Sequence, residues 1–189
     1  MSDITDTIQE SVEHAGESTL NSWVAIWVAV TATIMALCNV KDGNIVQAMQ
    51  QAQASKIDAW SYFQAKSTKQ TQAENTLELI KLQKLPGSDT LTKKYEADVA
   101  RYEKEKGEIK AQAEGFDKQY NDINLFDDQF DMTEALLSIS IALFGITALT
   151  KKKWLFYFAA AVSSLGIVLG LTAFMGISLH SDFVARILG

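Results

Sequence analysis

Apolar and polar positions fall in blocks along the chain, and the blocks differ in kind. Three stretches, 20–40, 132–150 and 154–178, are apolar and almost free of charge. A helix that crosses a bilayer needs roughly 20 mostly apolar residues, so each predicts a transmembrane helix. Between the first and second lies the segment 41–131, where apolar residues recur at helical spacing among many charges. No proline interrupts it before Pro86. Pro86-Gly87-Ser88 predicts a turn at 86–88, with Ser88 or Asp89 capping the next helix. The expected fold is an all-α membrane protein. Three transmembrane helices carry a long extramembrane antiparallel helical hairpin, a coiled coil, between the first and the second.

The first arm of that hairpin carries an apolar stripe at Val46, Met49, Ala52, Ile57, Trp60 and Phe63. The stripe fades to Ser67 and Gln70, then returns at Leu77 and Ile80. The second arm repeats more cleanly. Tyr95, Tyr102, Ile109, Phe116, Ile123 and Phe130 are each seven apart. Val99, Lys106, Ala113, Tyr120 and Asp127 lie four beyond the first five of them. This is a coiled-coil seam with two polar flaws, Lys106 and Asp127. An antiparallel hairpin also returns both of its ends to one membrane face, as the neighbouring spans require. Trp60, Tyr62 and Phe63 join Tyr95, Tyr102, Ile109, Phe116 and Ile123 as candidate interface residues, because aromatics are enriched where proteins meet. Packing between the two arms is an equally good use for them. Trp60 and Tyr62 point roughly 200° apart on a helix, so at least one is available for another contact.

Residues 1–19 hold five acids and no Lys or Arg. An acidic start argues against a cleaved secretory signal and for a retained anchor in 20–40. Ile4, Ile8, Val12 and Ala15 share one face of a short helix expected over 3–17. Asp131 and Glu134 have capping-box spacing at the expected start of the second span. The basic loop Lys151, Lys152 and Lys153 is followed by Trp154, Phe156, Tyr157 and Phe158. Short basic loops stay cytoplasmic and aromatics mark the interface. That threading puts the N-terminus and the 151–153 loop in the cytoplasm and the hairpin in the periplasm. Lys41 and Lys118 near the ends of the insert keep the inverted topology open. Gly166 and Gly170 form a GxxxG, which serves packing within a subunit or between subunits. The tail 179–189 sets Phe183, Val184, Ile187 and Leu188 at helical spacing and is expected to fold back on the membrane.

Composition narrows the chemistry. The chain has 17 Lys and Arg against 23 Asp and Glu, for a net charge of −6. Its charges mix in sign and form no basic face, which excludes nucleic acid as a partner. Cys38 is the only cysteine, so no intrachain disulfide can form. Leu37 just before it argues against lipidation. His14 and His180 stand at opposite ends, with no second ligand beside either. No catalytic, cofactor or metal residues are expected, and the chain does not read as an enzyme. No Arg, Lys, Asp or His lies deep in a span, which argues against a proton-coupled transporter or a voltage sensor. Thr31, Thr33, Asn39, Ser138, Ser140 and Thr147 keep a hydroxyl-lined pore as the alternative.

Two stretches carry a resemblance. They are KIDAWSYFQAKSTK at 56–69, and RYEKEKGEIKAQAE at 101–114 followed by the apolar run 138–170. In order and spacing the chain resembles a family of small bacterial membrane proteins known only as a domain of unknown function, number four-three-three-seven. Trp60 to Lys66 is the most specific part. The resemblance implies a helical, multi-pass protein of the bacterial inner membrane, with no established activity. Members often carry histidines ahead of the first and second spans. Here those places hold an acidic segment with His14 and the pair Asp127-Asp128, so no metal or proton role carries over.

Together these readings lead to a non-enzymatic membrane protein that acts by assembly. It is expected to be a homo-oligomeric scaffold or an accessory subunit of a membrane complex. Its expected partners are the lipid bilayer and either further copies of itself or other membrane proteins.

Overall fold

The computed structural model describes residues 2–83 and 87–179, with side chains from Thr19 onward. They form three helices: α1 (Ser2–Gln83), α2 (Asp89–Thr150) and α3 (Lys153–Phe174). No strand occurs among the described residues, and each helix contains a stretch long and apolar enough to cross a membrane. The side chains of the expected 3–17 face, Pro86, and the tail from His180 lie outside the described residues.

α1 and α2 run unbroken through the change from apolar to charged sequence. The expected boundary near 40 is therefore a change of side chains and not of backbone, and the short N-terminal helix is simply the start of α1. Continuity also corrects the reading of Asp131 and Glu134. They lie inside α2, where backbone N–H groups already bond within the helix, so there is no terminus for them to cap.

The helix ends follow local chemistry. Gly87 takes a φ of 77°, and Thr92 N donates to Ser88 O at 2.9 Å to open α2. Lys151 closes α2 in the left-handed region, φ 56°, with its N–H on Thr147 O at 2.9 Å. Lys152 is the extended N-cap of α3 and offers no side-chain cap. α3 stops at Phe174, short of the expected 178, because Gly176 turns left-handed at φ 73°. Gly176 N then bonds Ala173 O at 3.0 Å, and Ile177 N bonds Thr172 O at 2.9 Å. A left-handed glycine satisfying late carbonyls is the usual way to stop a helix.

The chain divides into two compact units. One comprises Met1–Val46 with Asn124–Gly189, and the other comprises Gln47–Ile123. In the first, Val24, Phe144 and Ala159 form one buried cluster, with Trp27 and Phe156 against it. The Phe144 ring lies 6.1 Å from Trp27 and 5.9 Å from Phe156, centroid to centroid. Cys38, Phe130 and Ala173 form a second cluster, bordered by Ile34 and Ile45. Between the two, Thr31 and Ser163 share a buried hydrogen bond of 2.8 Å.

The glycines of α3 make this packing possible. A Cβ on Gly166 would sit 2.8 Å from Leu137 Cδ2. A Cβ on Gly170 would sit 2.9 Å from both Cys38 Sγ and Thr133 Cγ2. Gly166 and Gly170 thus pack within one chain, against α2 and against α1 with α2.

In the second unit the heptad positions turn inward. Ile109 and Ala113 are buried, while Tyr95, Val99, Tyr102, Lys106, Phe116, Tyr120 and Ile123 are half-buried. On α1, Met49, Ala52 and Ala73 are buried, and Trp60, Phe63, Ser67 and Gln70 are half-buried. Val46, in the first unit, and Ile57, both expected on the inner stripe, are instead exposed.

The glycine contacts generate a test. Overpacking a tight helix contact costs about 1–3 kcal/mol. Gly170→Leu should lower the thermal unfolding midpoint of the detergent-solubilised protein. Gly145→Leu, which meets nothing within 4 Å, should leave it unchanged or raise it. Equal effects of the two substitutions would show that the close approach of α3 contributes nothing.

Candidate functional site

Two places gather polar chemistry, one in each unit. In Gln47–Ile123 it centres on the aromatic run of α1. Trp60 and Phe63 meet edge-on, with centroids 5.4 Å apart. Both are half-buried, whereas Tyr62 is 53% exposed. The two sides of the Trp60–Tyr62 pair therefore face different surroundings, as their angular separation requires.

Lys66 ties the outer and inner aromatics together. Its ammonium pairs with Glu105 and lies 5.1 Å from the Tyr62 ring centre and 5.6 Å from that of Tyr102. The hydrogen bond between the two charges raises Lys66 above the ordinary lysine value and lowers Glu105 below the ordinary carboxylate value.

Lys106, the first polar flaw in the seam, has a matching partner. Its Nζ donates to Gln70 Oε1 at 3.0 Å and lies 5.4 Å from the Phe63 ring centre. Gln70 in turn donates to Glu103 at 2.7 Å and to Glu74 at 2.8 Å. The gap in the α1 stripe and the flaw in the α2 seam are thus one polar layer. A layer of this kind favours one register over its alternatives, since any shift leaves Lys106 against apolar side chains.

Asp127, the second flaw, belongs to the first unit and meets Asp42. Asp42 Oδ1 and Asp127 Oδ1 are both shielded from water with no hydrogen-bond partner among the described residues. Two ionised carboxylates offer each other only acceptors, so a proton on one supplies the missing donor. Burial, followed by the charges of Asp127, Asp131 and Glu134, raises Asp42 to about 6. Burial, followed by Asp131 and Asp128, also raises Asp127 above the usual aspartate value. The pair titrates as a unit and is held best when it carries a proton.

Gln129, two residues along α2 from Asp127, closes the end of α3. It donates to Leu169 O at 3.0 Å and to Thr172 Oγ1 at 2.9 Å. It accepts from Leu179 N at 3.0 Å. Sequence reasoning missed both Gln129 and the Asp42–Asp127 pair. An isolated amide or aspartate gives no periodic signal, and its partner lies on another helix.

The hydroxyls considered for a pore are mostly committed internally. Thr31 bonds Ser163, Ser140 bonds Leu137 O at 2.7 Å, and Thr147 bonds Leu143 O at 2.8 Å. Thr33, Asn39 and Ser138 are exposed on the outer surface of this unit. Among the described residues no group of His, Cys, Asp and Glu is arranged to hold a metal ion.

Residues 20–176 match the family described as Domain of unknown function (DUF4337). The chain belongs to that family. The match begins at the first apolar stretch and ends at Gly176, the residue that terminates α3. It therefore covers α1 from Leu20 onward and all of α2 and α3. No curated protein and no solved structure matches the chain.

The carboxyl pair sets a pH dependence with a definite sign. A raised carboxyl pKa means that the folded state binds the proton more tightly than the unfolded state. This contribution to stability is present at low pH. It falls as pH rises from 3.8, the ordinary aspartate value, through about 6. Asp42→Asn keeps a neutral donor in place. Relative to the original protein, its thermal midpoint should rise progressively across that interval and stay higher above it. Parallel pH profiles for the two proteins would rule the pair out.

Proposed function

We propose that the chain is a multi-pass protein of the bacterial inner membrane that acts by assembly and not by catalysis. It serves either as a homo-oligomeric scaffold or as an accessory subunit of a membrane complex. The membrane reading is supported by where the apolar surface lies. Leu149, Trp154 and Tyr157 are each about two-thirds or more exposed, an arrangement that lipid favours and water does not. The basic loop Lys151 to Lys153 favours the cytoplasmic side for itself and for the N-terminus, which leaves 41–131 in the periplasm.

An antiparallel arrangement of the two arms is supported by the ion pairs. Lys56 pairs with Asp117 at a sequence separation of 61, and Lys66 with Glu105 at a separation of 39. Lys81 pairs with Glu96 nearest the Gly87 turn. Separations that shrink steadily toward a turn are the signature of chains running in opposite directions.

The observation that carries assembly is the apolar surface left outside the charged unit. Ile57, Tyr62, Leu79, Leu82 and Leu91 are all more than half exposed there. A segment rich in Lys and Glu has no need of such residues for solubility, and clustered exposed apolar groups mark contact surfaces. The pore alternative draws less support, since most of its hydroxyls are committed to internal bonds.

Protein purified from membranes at native expression, in mild detergent, should run as a defined complex larger than one 20.9 kDa chain by light scattering corrected for detergent. Leu79→Ser with Leu82→Ser should shift it to a single chain with its helical circular dichroism intact. A single chain before substitution would overturn the assembly reading. Release from the membrane by alkaline carbonate would overturn the membrane reading.

A further inference from the structure

Near the loop that joins α2 to α3, the start of the first apolar stretch and the start of α3 flank an open cavity of about 540 Å³. Thr19, Trp23 and Trp27 line it from α1, and Lys153, Phe156 and Tyr157 line it from α3. Its volume falls in the range of small-molecule sites, about 300–1,000 Å³. We propose that this cavity binds an anionic phospholipid, with the headgroup phosphate on Lys153 and the upper acyl chain against Trp27 and Phe156.

The inference rests on the membrane reading proposed above and adds a specific ligand to it. Three observations carry it. First, the lining is sorted by chemistry. Thr19, Lys153 and Tyr157 bring polar groups, whereas Trp27 and Phe156 continue inward to the Phe144 cluster. A lipid is sorted in the same way, with a polar head above an apolar chain. Second, the aromatic lining suits the depth. Indole rings favour the headgroup layer, where one edge is wet and the other apolar.

Third, Lys153 brings a positive charge to the lining, with Lys152 beside it in sequence, and no acid occurs in 19–41 or 135–179. Lys152 and Lys153 take part in none of the ion pairs among the described residues. A zwitterionic headgroup adds as much positive as negative charge, and an anionic one does not. Charge complementarity therefore selects the anionic lipid. A basic pocket at the cytoplasmic ends of membrane helices is the arrangement that binds anionic headgroups. The five acids of residues 1–19 lie just before the cavity in sequence and are the natural competitor.

Tryptophan fluorescence reads the site directly. Trp60→Phe with Trp154→Phe leaves Trp23 and Trp27 as reporters. The protein is placed in phosphatidylcholine nanodiscs containing a minor fraction of lipid brominated on the upper acyl chain. Brominated phosphatidylglycerol should quench the reporters well beyond brominated phosphatidylcholine at the same fraction. Each lysine near an anionic headgroup contributes roughly a five-fold preference. Lys152→Gln with Lys153→Gln should therefore abolish most of the difference. A protein reporting only from Trp154, which is 65% exposed and does not line the cavity, should see both lipids alike.

Equal quenching of Trp23 and Trp27 by the two lipids would overturn the proposal and leave an ordinary lipid annulus. So would a preference that survives the double lysine substitution. A preference that appears only after the acids of 1–19 are replaced by their amides would overturn it as well, because the unsubstituted chain then holds no anionic lipid there. Absence of quenching by either lipid, at Trp154 as well, would instead count against the membrane reading on which the site depends.

Discussion

The first unit depends on how closely α3 can approach the other two helices. For helices that lie in lipid, as proposed for these, there is no hydrophobic drive between apolar faces, and contact then rests on shape and on hydrogen bonds. Gly166 and Gly170 offer no side chain where Leu137, Cys38 and Thr133 press in. That approach brings Ser163 within reach of Thr31 and places the end of α3 under Gln129. The aromatic stack of Trp27, Phe144 and Phe156 closes one end of the same interface, and Phe130 with Phe174 closes the other. A side chain at either glycine would separate these contacts together, because they share one helix.

The polar layers obey a related economy. Lys106 is tolerable in an inward-facing seam because Gln70 Oε1 accepts a hydrogen bond from it and Phe63 offers it a π face. Lys66 is tolerable because Glu105 and two tyrosines surround it. Asp42 and Asp127 are the exception, since each presents only acceptors to the other until one takes a proton. A half-buried pair that is comfortable only in one protonation state makes its region responsive to pH in a way the lysine layers are not. Its charged surroundings, Asp128, Asp131 and Glu134, reinforce that response.

Membership in a family without an assigned activity leaves the physical surfaces to suggest a role, and they suggest contact. Large apolar residues face outward both along the apolar stretches and on the charged unit. The first set suits lipid. The second lies among charges, and it is the set on which the proposed assembly rests. The Trp-lined cavity beside Lys153 belongs to the first unit and sets a lysine and a tyrosine beside apolar rings.

The sequence alone determined the helical class, the three apolar stretches and the inward positions of the α2 seam. Each of these is written in a local period or in composition, and a local period survives whatever the helix packs against. The turn at Gly87 was legible for the same reason, as a residue that tolerates a left-handed backbone. Only the tertiary structure decided which flaw meets which gap. Lys106 meets Gln70, Asp127 meets Asp42, and Gln129 closes α3, because these pairings depend on register between helices and not on any one helix. It also removed the helix start expected at Asp131. A capping pattern has meaning only where backbone N–H groups lack partners, and inside the continuous α2 they do not.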